Sequence, residues 1–323
     1  MLCYNFACTN FMQLIRPAGL FGLRWFLKCS VRFWRSASKV RGMSRLRDPG
    51  LLGNVWGQTK QKLWGGYRLR LALEAHIKPV TGEIRISGEE HIKEIPPYKK
   101  VIIVTTHISD LDVPIAASKL SKYFDIAITN ESISHSFLGE PSTNVGMRIA
   151  GKENFIPIDY KKVEGKKQGV FNPENFKPMK EALDKGKAII IAGHNPTQKW
   201  RLPKGGYGAA YLSDITDNAV ILPVTVNIES DEPVGMADTI LKNIRQKPNV
   251  SIYINKPIEL KKITGIEDMA NIMKKHGNGE KLTREERKRF SELKKILQNQ
   301  SDQIMRQIAA NQSNGKKGEY ANK

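Results

Sequence analysis

The sequence predicts an α/β fold: a mixed, mainly parallel sheet covered by helices, preceded by amphipathic, membrane-associating helices. Three observations carry that expectation. From about residue 80, short runs rich in Val and Ile alternate with helix-compatible stretches. Most of these runs are continuously apolar, the pattern of strands buried on both faces. Before residue 80 the chain is basic and aromatic, with nine Lys or Arg and no acid in the first 47 residues of a protein whose net charge is +20.

The amino-terminal segment is read first. Between residues 11 and 34, Phe11, Leu14, Ile15, Phe21, Trp25, Phe26, Phe33 and Trp34 are interrupted by Arg16, Arg24, Lys28 and Arg32. No apolar run approaches the ~20 residues that cross a bilayer. The mixture fits a helix lying in the headgroup plane, its cations on anionic phospholipid. A targeting peptide, or an extension upstream of a start at Met43, fits the same composition. A second amphipathic stretch, 51–77, contains Trp56, Trp64, Tyr67 and several Leu among Lys and Arg, with Gly65 and Gly66 as a break. It reads as a membrane-facing helix or as a helix packed on the domain.

Strands are expected at 83–87, 101–105, 126–129, 154–158, 188–192, 219–227 and 250–254, with helices at 113–122, 144–149, 175–185 and 207–214. Thr283 with Glu286 three residues on is a capping box, opening a charged helix that runs to about Ala310. The Gly-, Ser- and Lys-rich tail after Asn311 is expected to be disordered. The resulting division is a basic amphipathic region (1–79), an α/β domain (80–262), carboxyl-terminal helices (263–311) and a disordered tail (312–323).

At 323 residues the chain can bury a sizeable core without staples, and its three cysteines (Cys3, Cys8, Cys29) form neither a disulfide framework nor a zinc pattern. A reducing, intracellular setting and a metal-independent protein are expected. The positive charge favours anionic partners, among them phospholipid headgroups, phosphorylated small molecules or an acidic carrier protein. Nucleic acid is not expected, because no recognition helix or aromatic RNA-binding signature accompanies the charge.

The motif with most chemistry follows the 101–105 strand: His107-Ile-Ser-Asp-Leu-Asp112. A turn at a strand end can fold Asp112 back toward the His107 imidazole, orienting one ring nitrogen and leaving the other to take a proton. A histidine that merely caps the turn has the same sequence. The position favours function, since ligand sites of open α/β sheets gather at the carboxyl ends of strands. A base without its own nucleophile points to chemistry on a substrate hydroxyl or amine.

Four blocks taken together resemble the glycerolipid acyltransferase family, the group that includes 1-acylglycerol-3-phosphate acyltransferases. They are the Ile84-Arg-Ile-Ser-Gly88 segment, Thr106-His107 with Asp112 five residues after the His, the Ala127-Ile-Thr-Asn-Glu131 layout, and the proline-containing strand Ala219-Val-Ile-Leu-Pro223-Val-Thr-Val226. The resemblance covers about residues 80–260. It implies transfer of a fatty acyl group from a thioester, acyl-CoA or acyl carrier protein, to a lysophospholipid or other lipid-like acceptor, with His107 as general base oriented by Asp112 and no cofactor. It also implies work at a membrane surface, peripheral or monotopic, on the cytoplasmic face. A noncatalytic lipid-binding relative, or an enzyme for an unusual acceptor, is the alternative.

The departures lie in the acceptor-binding blocks. Where the family has an arginine after the second block, this chain has Tyr160-Lys161-Lys162, and where it has Phe-Pro-Glu-Gly-Thr, this chain reads Ile191-Ala-Gly193-His194-Asn195. Lys161 is a point charge without the fork of Arg. No acid occurs between Asp184 and Asp214, whereas Lys199, Arg201 and Lys204 follow the His194 turn and lead to Gly205 and Gly206 before a helix. Acceptor binding is therefore expected from Lys161, Gly193, His194, Asn195, Lys199, Arg201 and Lys204, with the glycines exposing backbone N–H groups to an anion. A basic hinge loop is the plainer reading.

Overall fold

The structure, a computed structural model, describes residues 66–75, 77–109, 111–129, 150–156, 173–194, 200–230, 245–277 and 280–321, the side chains of 152, 276 and 277 excepted. All fall in the unit Lys62–Lys323. The 11–34 segment, the first part of the 51–77 stretch and the 144–149 helix lie outside them.

In chain order the elements are α1 (66–75), β1 (Ile84–Ser87), α2 (Glu90–Lys93), β2 (Lys100–Thr105), α3 (Asp112–Leu120), β3 (Ile126–Thr129), β4 (Phe155–Ile156), α4 (Phe176–Asp184), β5 (Ala188–Ala192), α5 (Gly208–Ile215), β6 (Ala219–Ile228), β7 (Val250–Ile254), α6 (Ile266–Gly277) and α7 (Arg284–Ala310). The seven strands form one sheet in the order β1-β7-β6-β2-β5-β3-β4. Strands β2 to β6 all run the same way. At one edge β7 is antiparallel to β6, and β1 is parallel to β7. The mixed, mainly parallel sheet covered by helices is therefore the fold.

The continuous apolar runs are explained by their two covered faces. Along β2, Val101 and Ile103 join one core with α3, while Ile102 and Val104 join the other with α4, α5, α6 and α7. Each of those four side chains is buried, so no polar position is tolerated between them. Helix α1 enters the first core through Leu69 and Leu73, continued by Ile77, a stripe spaced by four residues. This part of the 51–77 stretch is a helix packed on the domain, and the boundary expected at residue 79 falls too late. Helices α6 and α7 likewise share the second core, through Ile266, Met269, Leu293, Leu297 and Ile304. They belong to the same folded body rather than to a separate carboxyl-terminal region.

Pro223 sits inside β6, between two neighbouring strands. It is opposite Val104 of β2, yet its missing N–H falls on the other side, where its carbonyl accepts from the Asn255 N–H just past the end of β7. The antiparallel ladder begins one residue later, at Val224 with Ile254. A proline is tolerated there because the ladder has no donor to lose.

The tail is ordered between residues 311 and 321, against the composition. It makes two short 3-10 turns, Asn314–Lys316 and Gly318–Tyr320, and buries Tyr320. One aromatic anchor and backbone pairing with Leu202 outweigh the glycine- and lysine-rich composition.

Candidate active site

Helix α3 covers the first face of the sheet and α5 the second, although the strands that precede them, β2 and β5, are hydrogen-bonded neighbours. The chain thus leaves adjacent strands toward opposite faces, the topology in which ligand crevices of open α/β sheets form at the carboxyl ends of the strands. His107 follows β2 at this point and Gly193-His194 follows β5.

The turn after β2 is built from its own residues. The buried Asp112 carboxylate accepts from the N–H of Ile108 (2.8 Å) and of Ser109 (3.2 Å) through Oδ2. Ser109 Oγ accepts from Leu111 N–H at 3.1 Å, which assigns this hydroxyl to the turn. Asp112 opens α3, and Pro114 fits its first turn, where an N–H would have no partner within the helix. Burial pushes the Asp112 carboxyl up to about 6, against the Ser109 N–H, the His107 charge, the Thr106 side chain and the Ile108 N–H, all of which favour the ionised form.

His107 is 7% exposed, and its Nδ1 lies 3.3 Å from the Ser109 carbonyl. A carbonyl only accepts, so Nδ1 carries the proton and Nε2 presents a lone pair. The expected direct contact from Asp112 to the imidazole is replaced by this carbonyl: Asp112 fixes the turn, while the backbone orients the ring.

From the adjacent strand, His194 Nε2 accepts the His107 backbone N–H at 3.1 Å. His194 is 3% exposed. It therefore braces the base through the His107 backbone. Gly193 donates its N–H to Thr105 O (2.8 Å), and a Cβ there would lie 2.8 Å from Met305 Sδ and 3.1 Å from Val104 Cγ1. A larger residue would have to displace the Met305 side chain.

The glycines before α5 do not expose their N–H groups. Gly205 N–H donates to the Tyr320 hydroxyl (3.0 Å), and Gly206 N–H donates to Gly193 O (2.8 Å). Both donors expected to meet an anion are engaged within the protein. Arg201 and Lys204 are exposed on the same loop. Lys161, Asn195 and Lys199 lie outside the described residues, as do His76 and His135. His91 is paired with Glu94 at 3.0 Å, away from the turn. Among the described residues no group of three or more His, Cys, Asp or Glu is placed to hold a metal ion, and no helix is long and apolar enough to cross a membrane.

No sequence signal marked the Ser109 carbonyl, because a backbone acceptor has no residue type. Nor did one mark Tyr320, apart from its being a lone aromatic in a polar tail.

No protein-family model and no curated protein matches the chain. Among solved structures, the 1-acyl-sn-glycerophosphate (LPA) acyltransferase PlsC from Thermotoga maritima is similar to it, with 14% sequence identity and a TM-score of 0.47 over 87% of this chain and 93% of that one. That likeness is too loose to assign chemistry, which rests on the residues of the crevice.

Proposed function

We propose that this protein is an acyltransferase that moves a fatty acyl group from a thioester, acyl-CoA or acyl carrier protein, to a hydroxyl of a lysophospholipid or other lipid-like acceptor. The observation that carries the reading is the His107 ring: its Nδ1 meets the Ser109 carbonyl, which leaves Nε2 as the base at the crevice between β2 and β5. The His-to-Asp spacing of the glycerolipid acyltransferases supports the same reading.

In this mechanism Nε2 takes the proton of the acceptor hydroxyl as its oxygen attacks the thioester carbonyl. The tetrahedral adduct then expels the thiolate, which recovers the proton from Nε2. The ionised Asp112 stabilises the imidazolium between the two transfers. No acyl-enzyme is needed, since Ser109 Oγ is committed to Leu111 N–H. Arg201 and Lys204, exposed on the loop after β5, are the described cations available to an anionic headgroup. Through its basic amino-terminal segment the protein works at an anionic membrane surface.

The test uses the purified full chain with radiolabelled acyl-CoA and acyl carrier protein, offered a panel of lysophospholipids and other hydroxylated lipids in anionic vesicles. Acyl transfer lost in His107→Ala is the expected result. Binding of lipid with no transfer to any acceptor would instead make the chain a noncatalytic relative.

A further inference from the structure

The groups that brace His107 are themselves held by the carboxyl-terminal part of the chain. Leu202 N–H donates to Lys316 O (2.9 Å) and Leu202 O accepts from Glu319 N–H (3.1 Å), so the tail pairs with the loop after β5 on both sides of one residue. Gly318 lies between these contacts at φ +52°, and a Cβ there would meet Leu202 O at 2.1 Å. Only glycine permits that approach. Tyr320, 4% exposed, accepts from Gly205 N–H and donates its own proton to Asp302 Oδ1 at 2.9 Å. From α7, Ser301 Oγ donates to Gly206 O (2.8 Å) and Gln298 Nε2 donates to Asp302 Oδ1 (2.9 Å).

This lattice runs on into the crevice. Gly206 N–H donates to Gly193 O, Gly193 N–H donates to Thr105 O, and the adjacent His194 accepts from His107 N–H. A second line reaches the start of the turn: Gln312 Nε2 donates to Val226 O (3.0 Å), to which the Thr106 hydroxyl also donates (3.4 Å). The His107 turn is thus reached from residues 312–320 at two points, Thr106 and the His107 backbone.

We propose that the tail after α7 is a positioning strap for the His107 turn, with the Tyr320 hydroxyl as its pin between Asp302 and the Gly205 loop. Tyr320 touches no reacting atom. It acts by holding Gly205 and Gly206 against Gly193, which sets where His194 meets the His107 backbone. The strap deepens the acyl-transfer reading and rests on it for its effect on turnover, although its effect on the imidazoles is independent of the reaction.

The test compares full-length wild type with Tyr320→Phe, which keeps the buried ring and removes one oxygen. In protein labelled with 15N at histidine, the His107 and His194 ring resonances are expected to shift in the resting state. In acyl transfer, kcat is expected to fall about tenfold while KM for the acyl donor stays within about twofold, the signature of a displaced base rather than a lost binding contact. Asp302→Asn, which retains an acceptor for the Tyr320 proton, should resemble wild type, and Asp302→Leu should resemble Tyr320→Phe. The Leu variant also carries the comparison if Tyr320→Phe does not fold. Unmoved imidazole resonances in the folded variants would overturn the strap, whether or not the protein transfers acyl groups. Shifted resonances in a protein that transfers nothing would uphold the strap and count against the acyltransferase reading alone.

Discussion

The two turns that meet at the crevice are built in opposite ways. The turn after β2 is closed by its own residues: Asp112 accepts from Ile108 and Ser109, Ser109 Oγ accepts from Leu111, and the Ser109 carbonyl orients His107. The turn after β5 is held from a distance, with Gly205 bound by Tyr320 and Gly206 by Ser301. A self-closed turn sets the base's local geometry, so that what reaches it from elsewhere passes through the His194 ring on its backbone N–H, whereas the opposite wall of the crevice inherits the placement of α7 and the tail directly.

The largest test of that contrast removes the base. His107→Ala should lower single-turnover acyl transfer by at least about 10²-fold, the lower end of what a positioned general base contributes, with unchanged circular dichroism. An effect below tenfold would place the chemistry elsewhere.

Asp112 comes next, because its effects on activity and on stability should separate. Its carboxyl is raised from 3.8 to about 6 by burial, so the folded state holds the proton through a range where the unfolded chain has lost it. Folding stability should therefore fall as pH rises from about 4 to about 6 and level off above, by about 3 kcal/mol if the whole shift is expressed. Asp112→Asn keeps an oxygen for the Ile108 and Ser109 donors, so urea titrations of it should lose that slope. Transfer should nonetheless drop by at least about tenfold at pH 7, since the carboxylate that stabilises imidazolium is gone. Wild-type activity should also decline below about pH 6 as Asp112 is protonated. A variant that keeps both full activity and the pH slope would detach Asp112 from the turn's function.

On the other wall, Gly205→Ala should destabilise the fold by about 1–3 kcal/mol through overpacking, because its Cβ would lie 2.4 Å from Ser301 Oγ and 2.7 Å from Met305 Cγ. It should also lower transfer, whereas an isolated loss of stability would mean that this wall is only packing. The smallest effect is expected at the start of α7. Thr283→Ala removes the capping box with Glu286 and should cost about 1 kcal/mol in urea denaturation, leaving kcat unchanged because the cap lies far along the helix from Ser301.

What the sequence made legible follows the same division. Strands β3, β5 and β7 begin and end where their apolar runs do, and α7 begins at its capping box and ends at Ala310, because these signals are local. The turn from His107 to Asp112 was legible for the same reason. The roles of Gly193, His194, Gly205 and Gly206 were not: each depends on a partner tens of residues or more away, and glycine reads identically whether it frees an N–H for a ligand or lets a helix approach. The order of the tail escaped composition because one buried tyrosine and one pair of backbone bonds decide it.

Pro223 bears on how the two parts of the sheet are joined. The antiparallel edge of β7 and β1 must attach to an otherwise parallel block, and a slip by one residue would turn every side chain of β7 to the opposite face. In the native register Pro223 is asked only for its carbonyl, by Asn255 N–H, and the same edge of β6 pairs again at Ile221 with Ile258. The proline thus occupies the gap between the β7 ladder and that bridge, where the finished sheet needs no donor from it.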